Sequence, residues 1–200
     1  MMELRQALSD LAEVRERLAR LQRFEGYSGA AAAASGIGAL IAAGVQQRLA
    51  PLPETATALR VYLIIWLSCL AVALLLNYGA AAVWLLKHRG PGAQSRFRTA
   101  ALSIAPSVVL GGALSLALIQ HGAYALLPGT WFAFYAIGLF ASRGAIPTST
   151  FGITIGFALL ALAFLVTPLE TVSLAWWVMP IGFGLGQLGI GYFIWLDRAT

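Results

Sequence analysis

Residues 182–191 read GFGLGQLGIG, a run that contains the G-x-G-x-x-G pattern of dinucleotide-binding folds. That pattern binds a pyrophosphate only where a strand turns into a helix and an acidic residue follows about 20 positions later. Here the run lies within an apolar segment, and the one acidic residue after it, Asp197, stands eight positions beyond Gly189. The run therefore predicts a glycine-rich membrane helix and excludes a nucleotide site.

The spacing of these glycines predicts a helix that is grooved on two sides. Gly182, Gly186 and Gly189 fall at positions i, i+4 and i+7 of one face, and Gly184 and Gly191 mark the opposite face. In lipid, helices associate through close packing, and small residues let their backbones approach. We expect this helix to lie between two neighbours, or between a neighbour and a second subunit.

Small residues follow a helical spacing in two earlier apolar segments as well. We favour tight bundling within one chain as their role, with dedicated dimer faces as the alternative. The first segment carries Ala32, Gly36, Ala39 and Ala43 on one face, and the third carries Ser103, Ser107, Gly111 and Ser115 at intervals of four.

The composition of the chain requires a non-aqueous solvent. Of 200 residues, 60% are apolar and only 10% are charged, whereas soluble domains carry about 25% charged residues. A fold of this size leaves too much surface exposed to hide so large an apolar fraction from water. The sequence therefore predicts an all-α polytopic membrane protein.

Six segments reach, or nearly reach, the roughly 20 apolar residues that a spanning helix needs. The third and fourth segments are separated only by Gln120-His121-Gly122, which we take as the turn between them. Pro128-Gly129 is the alternative position for this turn. We expect a transmembrane domain over residues 27–200, preceded by an amphipathic helix over residues 1–26. The predicted spans are residues 27–45, 61–86, 99–120, 123–141, 149–166 and 171–196.

The distribution of lysine and arginine predicts the orientation. The N-terminal segment, the second and fourth connecting loops and the C-terminal residues carry eleven of the thirteen basic side chains. Only Arg48 and Arg60 fall on the other side. Because short basic loops stay in the cytoplasm, we expect both termini to be cytoplasmic.

Asp, Glu, Lys and Arg are missing from all six predicted spans. Ion-coupled transporters, proton pumps and voltage sensors place such groups within the membrane, so these classes are disfavoured. His88 and His121 fall near opposite surfaces and cannot share a haem iron, and a single cysteine cannot build a Cys-rich metal site. The pattern favours a protein that is not an enzyme and uses no metal or cofactor.

The strongest polar side chains within the predicted spans are Asn77 and Gln187. Each lies ten residues before the charged residue that ends its span, Lys87 or Asp197, which places both about 15 Å deep at matching levels. We favour a mutual hydrogen bond that joins the two helices. The alternative is a polar spot in a mid-membrane cavity that binds a lipid or a quinone-like molecule.

Residues 1–26 form an amphipathic segment with apolar residues at the a and d positions of three heptads. Five basic and five acidic side chains occur in residues 1–25, whereas a helix lying on lipid should be rich in basic residues. A cytoplasmic coiled coil or docking helix is therefore favoured over a helix on the bilayer surface. The contact residues are Leu4, Leu11, Val14, Leu18 and Leu21, with Ala7 between the first two.

The predicted loop over residues 87–98 is the most basic connection in the chain. It carries Lys87, Arg89, Arg96 and Arg98 and no acidic residue. Such a loop fixes topology, and anionic lipid headgroups are its possible partners, at about 1 kcal/mol per basic residue. Nothing in the chain resembles a folded nucleic-acid-binding module, so we expect no nucleic-acid partner.

Three stretches carry a resemblance to known proteins: LQRFEGYSG (residues 21–29), HGAYALLPGTWFAFYAIGLFASR (residues 121–143) and GFGLGQLGIGYFIWLDR (residues 182–198). In that order they resemble a bacterial family of small six-helix membrane proteins with no established biochemical activity. The resemblance rests on glycine, proline and aromatic positions over most of the chain. It implies six helices in a prokaryotic cytoplasmic membrane, and it implies no catalytic or binding residue.

These observations predict a non-enzymatic membrane protein that acts through helix contacts as an accessory subunit, a scaffold or a sensor. Its expected partners are the lipid bilayer and either further copies of itself, as a homo-oligomer, or a larger membrane complex. The alternative is a carrier or binder of an apolar small molecule in a cavity near Asn77 and Gln187.

Overall fold

A computed structural model describes residues 26–88, 90–167 and 172–199 of the chain. Throughout these ranges the ordered elements are helices, and no β-strand occurs in them. Three 3₁₀ turns (Tyr124–Leu126, Thr148–Thr150 and Val172–Leu174) and a π-helical segment (Pro180–Gly184) accompany the α-helices. The α-helices are α1 (Gly29–Leu49), α2 (Ala56–Lys87), α3 (Pro91–Gln120), α4 (Leu127–Ala141), α5 (Phe151–Val166) and α6 (Leu185–Ala199).

Five helical segments are long and apolar enough to cross a membrane. They correspond to α1, α2, α3, and α4 and α5 with the 3₁₀ turns that precede them. Within the described residues, the prediction of an all-α protein with several helices able to cross a membrane is therefore confirmed. The heptad segment, with Leu4, Leu11, Val14, Leu18 and Leu21, lies outside the described residues, and so does Arg89.

The sixth predicted span is divided into several parts. Residues 175–177 are irregular, and the helical conformation starts at residue 178. Pro180 has no backbone N–H, and the next amide, that of Ile181, reaches the Trp177 carbonyl only at 3.4 Å. The backbone widens into the π-helical segment at this point, as helices do where the regular bonding is interrupted. Of the predicted span over residues 171–196, the α-helix proper therefore covers only Leu185 onward, and the interruption lies at Pro180.

The connection between α2 and α3 is much shorter than predicted. α3 begins at Pro91 and includes Arg96 and Arg98, so only residues 88–90 join the two helices. Proline is favoured at the first helical position because its missing N–H would have no partner there. The predicted basic loop is thus largely the first two turns of α3, and Pro106 lies in the middle of this helix.

The turn between α3 and α4 agrees with the boundary at Gln120-His121-Gly122. α3 ends at Gln120, and Gly122 has a φ of 70°, a conformation that glycine adopts at no steric cost. Pro128 and Gly129 are helical residues of α4. The alternative turn at these two residues is therefore excluded.

Two helices organise the bundle. α1 packs against α2, α6 and the π-helical segment, while α4 packs against α3 and α5. Aromatic rings from α4, α5 and the π-helical segment meet in the middle, where Phe132 lies 5.3 Å from Phe183 and 6.0 Å from Phe157 between ring centroids. α2 lies at the periphery, because only Tyr62, Trp66 and Ala81 of its 32 residues are buried.

The two ends of the bundle differ in charge. At one end Ala81 and Ala100 form a small buried cluster, against which Tyr27, Trp84, Phe97 and Ala145 pack. The Arg198 guanidinium donates a hydrogen bond to the Tyr27 carbonyl at this end. We call this the basic end, and the opposite end, where α1 stops and α2 starts, the Gln46 end. The basic end carries Lys87, Arg96, Arg98, Arg143 and Arg198, and the Gln46 end carries Arg48 and Arg60.

Candidate functional site

The glycines of residues 182–191 contact α4 and α5 on one side. A Cβ atom added to Gly182 would overlap the ring of Phe132, and one on Gly186 would lie 2.6 Å from the Phe157 ring. At Gly189 the added atom would lie 2.9 Å from Ile153 Cδ1. Only glycine allows the aromatic and aliphatic side chains of α4 and α5 to approach this closely.

The other glycine face contacts α1. A Cβ atom on Gly191 would lie 2.7 Å from the Gly29 carbonyl oxygen, and one on Gly184 would lie 2.9 Å from Leu40 Cδ2. From the α1 side, a Cβ on Gly36 would lie 2.9 Å from the Gly184 carbonyl oxygen. The glycine-rich helix thus fits between α1 and the α4–α5 pair, and both of its grooves are filled within one chain.

The small residues of α3 face α4. Ser107 is buried, and a Cβ atom added to Gly138 would lie 3.5 Å from its side chain. The side chain of Phe134 packs over Gly111. Ser115 accepts a hydrogen bond of 2.7 Å from the indole N–H of Trp131 and donates one to its own helix. Among the described residues, the bonding partner of the Ser103 hydroxyl is the Thr99 carbonyl of α3 itself. Three of the four predicted packing residues therefore join α3 to α4 within the chain.

Asn77 and Gln187 do not bond to each other. The Asn77 amide donates to the Ser35 hydroxyl of α1 at 2.9 Å and to the Ala73 carbonyl of α2. The Gln187 amide donates to the Tyr135 hydroxyl of α4 at 2.7 Å. The favoured mutual bond is wrong because α2 and α6 each pack against α1, which supplies Asn77 with a nearer partner.

The surroundings of Gln187 are filled by aromatic rings. Its partner Tyr135 lies 4.6 Å from Phe157 and 5.2 Å from Phe183, measured between ring centroids, in edge-to-face contacts. Such contacts are favourable because the positive ring edge meets the negative ring face. The amide therefore joins α6 to α4 at the edge of a packed aromatic cluster.

Gln46 is a structural polar residue that the sequence prediction missed. Its side chain is fully buried, donates to the Leu174 carbonyl at 2.8 Å and accepts from the indole N–H of Trp66 at 2.7 Å. It thereby joins α1, α2 and the turn that leads to the glycine-rich helix. The first predicted span stopped at residue 45, although the small-residue face that includes Ala39 and Ala43 reaches Gln46 at the next helical step.

A cavity of about 330 Å³ opens at the basic end, between the end of α4 and the start of α5. Its wall contains one arginine, three threonines and four apolar residues. The lining residues are Leu139, Arg143, Ile146, Pro147, Thr148, Thr150, Phe151 and Thr154. The sequence prediction used Arg143 only to assign the orientation.

Within the described parts of the chain, no group of three or more His, Cys, Asp or Glu side chains is placed to hold a metal ion. Compared with known proteins, the chain matches no family model, no curated protein and no solved structure.

Proposed function

We propose that this is a non-enzymatic six-span protein of a prokaryotic cytoplasmic membrane that acts through helix contacts, as an accessory subunit, a scaffold or a sensor. The observation that carries the proposal is that the polar side chains of the predicted spans and their ends form hydrogen bonds between helices. Gln46, Asn77, Ser115 and Gln187 each bond to a side chain on another helix. These groups stabilise a fixed bundle, and a fixed bundle can present a surface to a partner.

The path of the last helix supports the sixth span. It begins near the Gln46 end, where the Trp176 amide donates to the Pro51 carbonyl at 3.2 Å. It finishes at the basic end, where Arg198 bonds to the Tyr27 carbonyl just before α1 begins. The π-helical segment and α6 therefore run alongside the whole of α1, which is itself long and apolar enough to cross the membrane.

The basic end supports a cytoplasmic position for both termini. Tyr27, which follows the N-terminal segment, and Arg198 lie together at this end. The helix ends that carry Lys87 and Arg96 lie there too. Since positive residues of short loops are retained in the cytoplasm, the basic end would be the cytoplasmic face, and residues 1–25 would present their heptads to a partner there.

The outward face of α5 supports self-association. Gly152 and Gly156 are four residues apart, and a Cβ atom added to either would meet no atom within 4 Å. Glycines at this spacing let two membrane helices approach closely. The glycine faces around α6 are already filled within the chain, so α5 offers a small-residue face that a second copy can use.

Cross-linking in native membranes tests this proposal. The full chain should give a cross-linked dimer, and the double substitution G152I/G156I should abolish it because two isoleucines separate the helices. G112I is the matched control, since Gly112 is also open to the outside, on α3, and this variant should dimerise normally.

A chain lacking residues 1–25 tests the contact role of the N-terminal segment. It should insert normally but lose its cross-links to other membrane proteins. A full chain that stays monomeric, and whose cross-linking to other proteins is unchanged by the truncation, would contradict a function through contacts.

A further inference from the structure

The cavity at the basic end has the chemistry of an amphiphile site. Leu139, Ile146, Pro147 and Phe151 give it an apolar wall, and Arg143 places a permanent cation at its edge. Its volume of about 330 Å³ falls at the lower end of the range for small-molecule sites, about 300–1,000 Å³. A ligand that suits both parts has an anionic group and an apolar remainder.

The guanidinium of Arg143 has donors to spare. It lies over the Phe140 ring, 4.5 Å from the ring centroid, and makes one long hydrogen bond of 3.4 Å to the Phe140 carbonyl. Among the described residues, no carboxylate pairs with it. A guanidinium carries five N–H donors in a planar fork that matches a phosphate, so an anion can bind without displacing an existing ion pair.

The start of α5 supplies a second favourable contact. The turn Thr148–Thr150 and the first residue of α5 both border the cavity, and neither element has a side-chain N-cap. The Thr150 hydroxyl donates to the Pro147 carbonyl at 2.6 Å, and its oxygen accepts no capping hydrogen bond from an amide of α5. The Thr150 and Phe151 amides already donate to the Pro147 and Thr148 carbonyls, so the contribution of this helix start is its dipole, which favours negative charge on the same side as Arg143.

We propose that this cavity binds the phosphate of an anionic membrane lipid, with the Arg143 guanidinium as its donor. The apolar wall receives the first part of an acyl chain or the glycerol backbone. Phe151, which lines the cavity, and Phe140, which lies under the Arg143 guanidinium, are 47% and 50% exposed. The lipid thereby anchors the connection between α4 and α5 at the basic end.

The test is lipid binding to the purified full chain in detergent, followed by native mass spectrometry. Phosphatidylglycerol is the anionic probe, phosphatidylcholine with the same acyl chains is the neutral probe, and inorganic phosphate is the soluble competitor. We expect one phosphatidylglycerol to bind in preference to phosphatidylcholine. Millimolar phosphate should not displace it, because phosphate lacks the apolar part.

Variants locate the site. R143Q should weaken phosphatidylglycerol binding about ten- to a hundredfold, the usual value of a hydrogen bond to a charged group. T148L adds bulk to the cavity wall without a change of charge and should weaken binding as well. R98Q removes a cation from the same end outside the cavity and should change binding at most about fivefold, as a surface charge does.

The melting temperature of each variant without added lipid controls for folding. Equal losses in R143Q and R98Q would overturn the proposal, because binding would then depend on general surface charge. Equal binding of the two lipids would overturn it too. Displacement of phosphatidylglycerol by phosphate would identify a soluble anion, and not a lipid, as the ligand.

Discussion

Replacement of Gln46 by leucine should destabilise the bundle strongly. The buried amide has three hydrogen bonds, to the Leu174 carbonyl at 2.8 Å, to the Ala50 carbonyl at 3.3 Å and from the Trp66 indole at 2.7 Å. Leucine preserves most of the volume but leaves the Trp66 N–H and the Leu174 carbonyl buried without partners. Each such group costs about 1–3 kcal/mol, while side-chain bonds in a membrane bundle average about 0.6 kcal/mol.

The two magnitudes bracket the expected effect. If each of the two unpaired groups costs about 0.6 kcal/mol, the loss is about 1.2 kcal/mol. If each costs about 3 kcal/mol, the loss is about 6 kcal/mol. Because Gln46 is fully buried and its three bonds involve three separate chain segments, we expect a loss of about 2–4 kcal/mol in the free energy of unfolding.

Unfolding by sodium dodecyl sulfate in mixed micelles, followed by tryptophan fluorescence, measures this free energy. Q47L is the matched control, because Gln47 is the exposed neighbour on the same helix, and it should change stability by no more than about 0.5 kcal/mol. A Q46L variant as stable as Q47L would refute the role that we assign to Gln46. Combination with W66F should give a smaller loss than the sum of the two single losses, since both substitutions remove the same bond.

Two further predictions concern the helix contacts, and a third concerns the orientation of the chain in the membrane. S35A and N77L should each cost about 0.6–1 kcal/mol in unfolding free energy, and the double variant should cost no more than the larger single loss. Y135F should destabilise by about 1 kcal/mol, because the Gln187 amide loses the Tyr135 hydroxyl as its acceptor on α4. Q187L in the Y135F background should cost little more. In a C69S background, R143C should react with a membrane-impermeant maleimide only in inside-out vesicles. R60C should react only in right-side-out vesicles. Labelling of both variants from one side would contradict the proposed orientation.

Helical geometry explains what the sequence could predict. The positions of Gly182, Gly186 and Gly189 relative to Gly184 depend only on the rotation of about 100° per residue. The spacing therefore predicted two faces, and in the structure the two sets of glycines contact different helices. The turn after Gln120 could also be predicted from local chemistry, because only a glycine adopts the φ of Gly122 at no steric cost.

The partners of the polar side chains could not be read in the same way. Sequence spacing gives the depth of Asn77 and Gln187 along their helices, but it does not say which helices are neighbours. The packing of α1 against both α2 and α6 decides that Asn77 meets Ser35. Gln46 was missed because a polar residue at the end of an apolar segment resembles a loop residue when its neighbours in space are unknown.

The start of α3 shows how a local signal can indicate either a loop or a helix. The Gly90-Pro91-Gly92 sequence is typical of a turn, and proline is equally typical of the first position of a helix. In the structure the helix prevails, and the basic side chains of Arg96 and Arg98 are carried on a helix. Their positive charge is the same in both conformations, so the predicted orientation does not depend on this difference.

The packing of the glycine-rich helix against α1 is tested most directly by comparing Gly36→Ala with Gly38→Ala in the same unfolding assay. A methyl group on Gly36 would lie 2.9 Å from the Gly184 carbonyl oxygen and 3.0 Å from the Leu188 amide nitrogen, whereas one on Gly38 would meet no atom within 4 Å. We expect G36A to lose about 1–3 kcal/mol of unfolding free energy and G38A to gain about 0.5–1 kcal/mol from its higher helix propensity. Equal stability of the two variants would contradict the close contact between α1 and the glycine-rich helix.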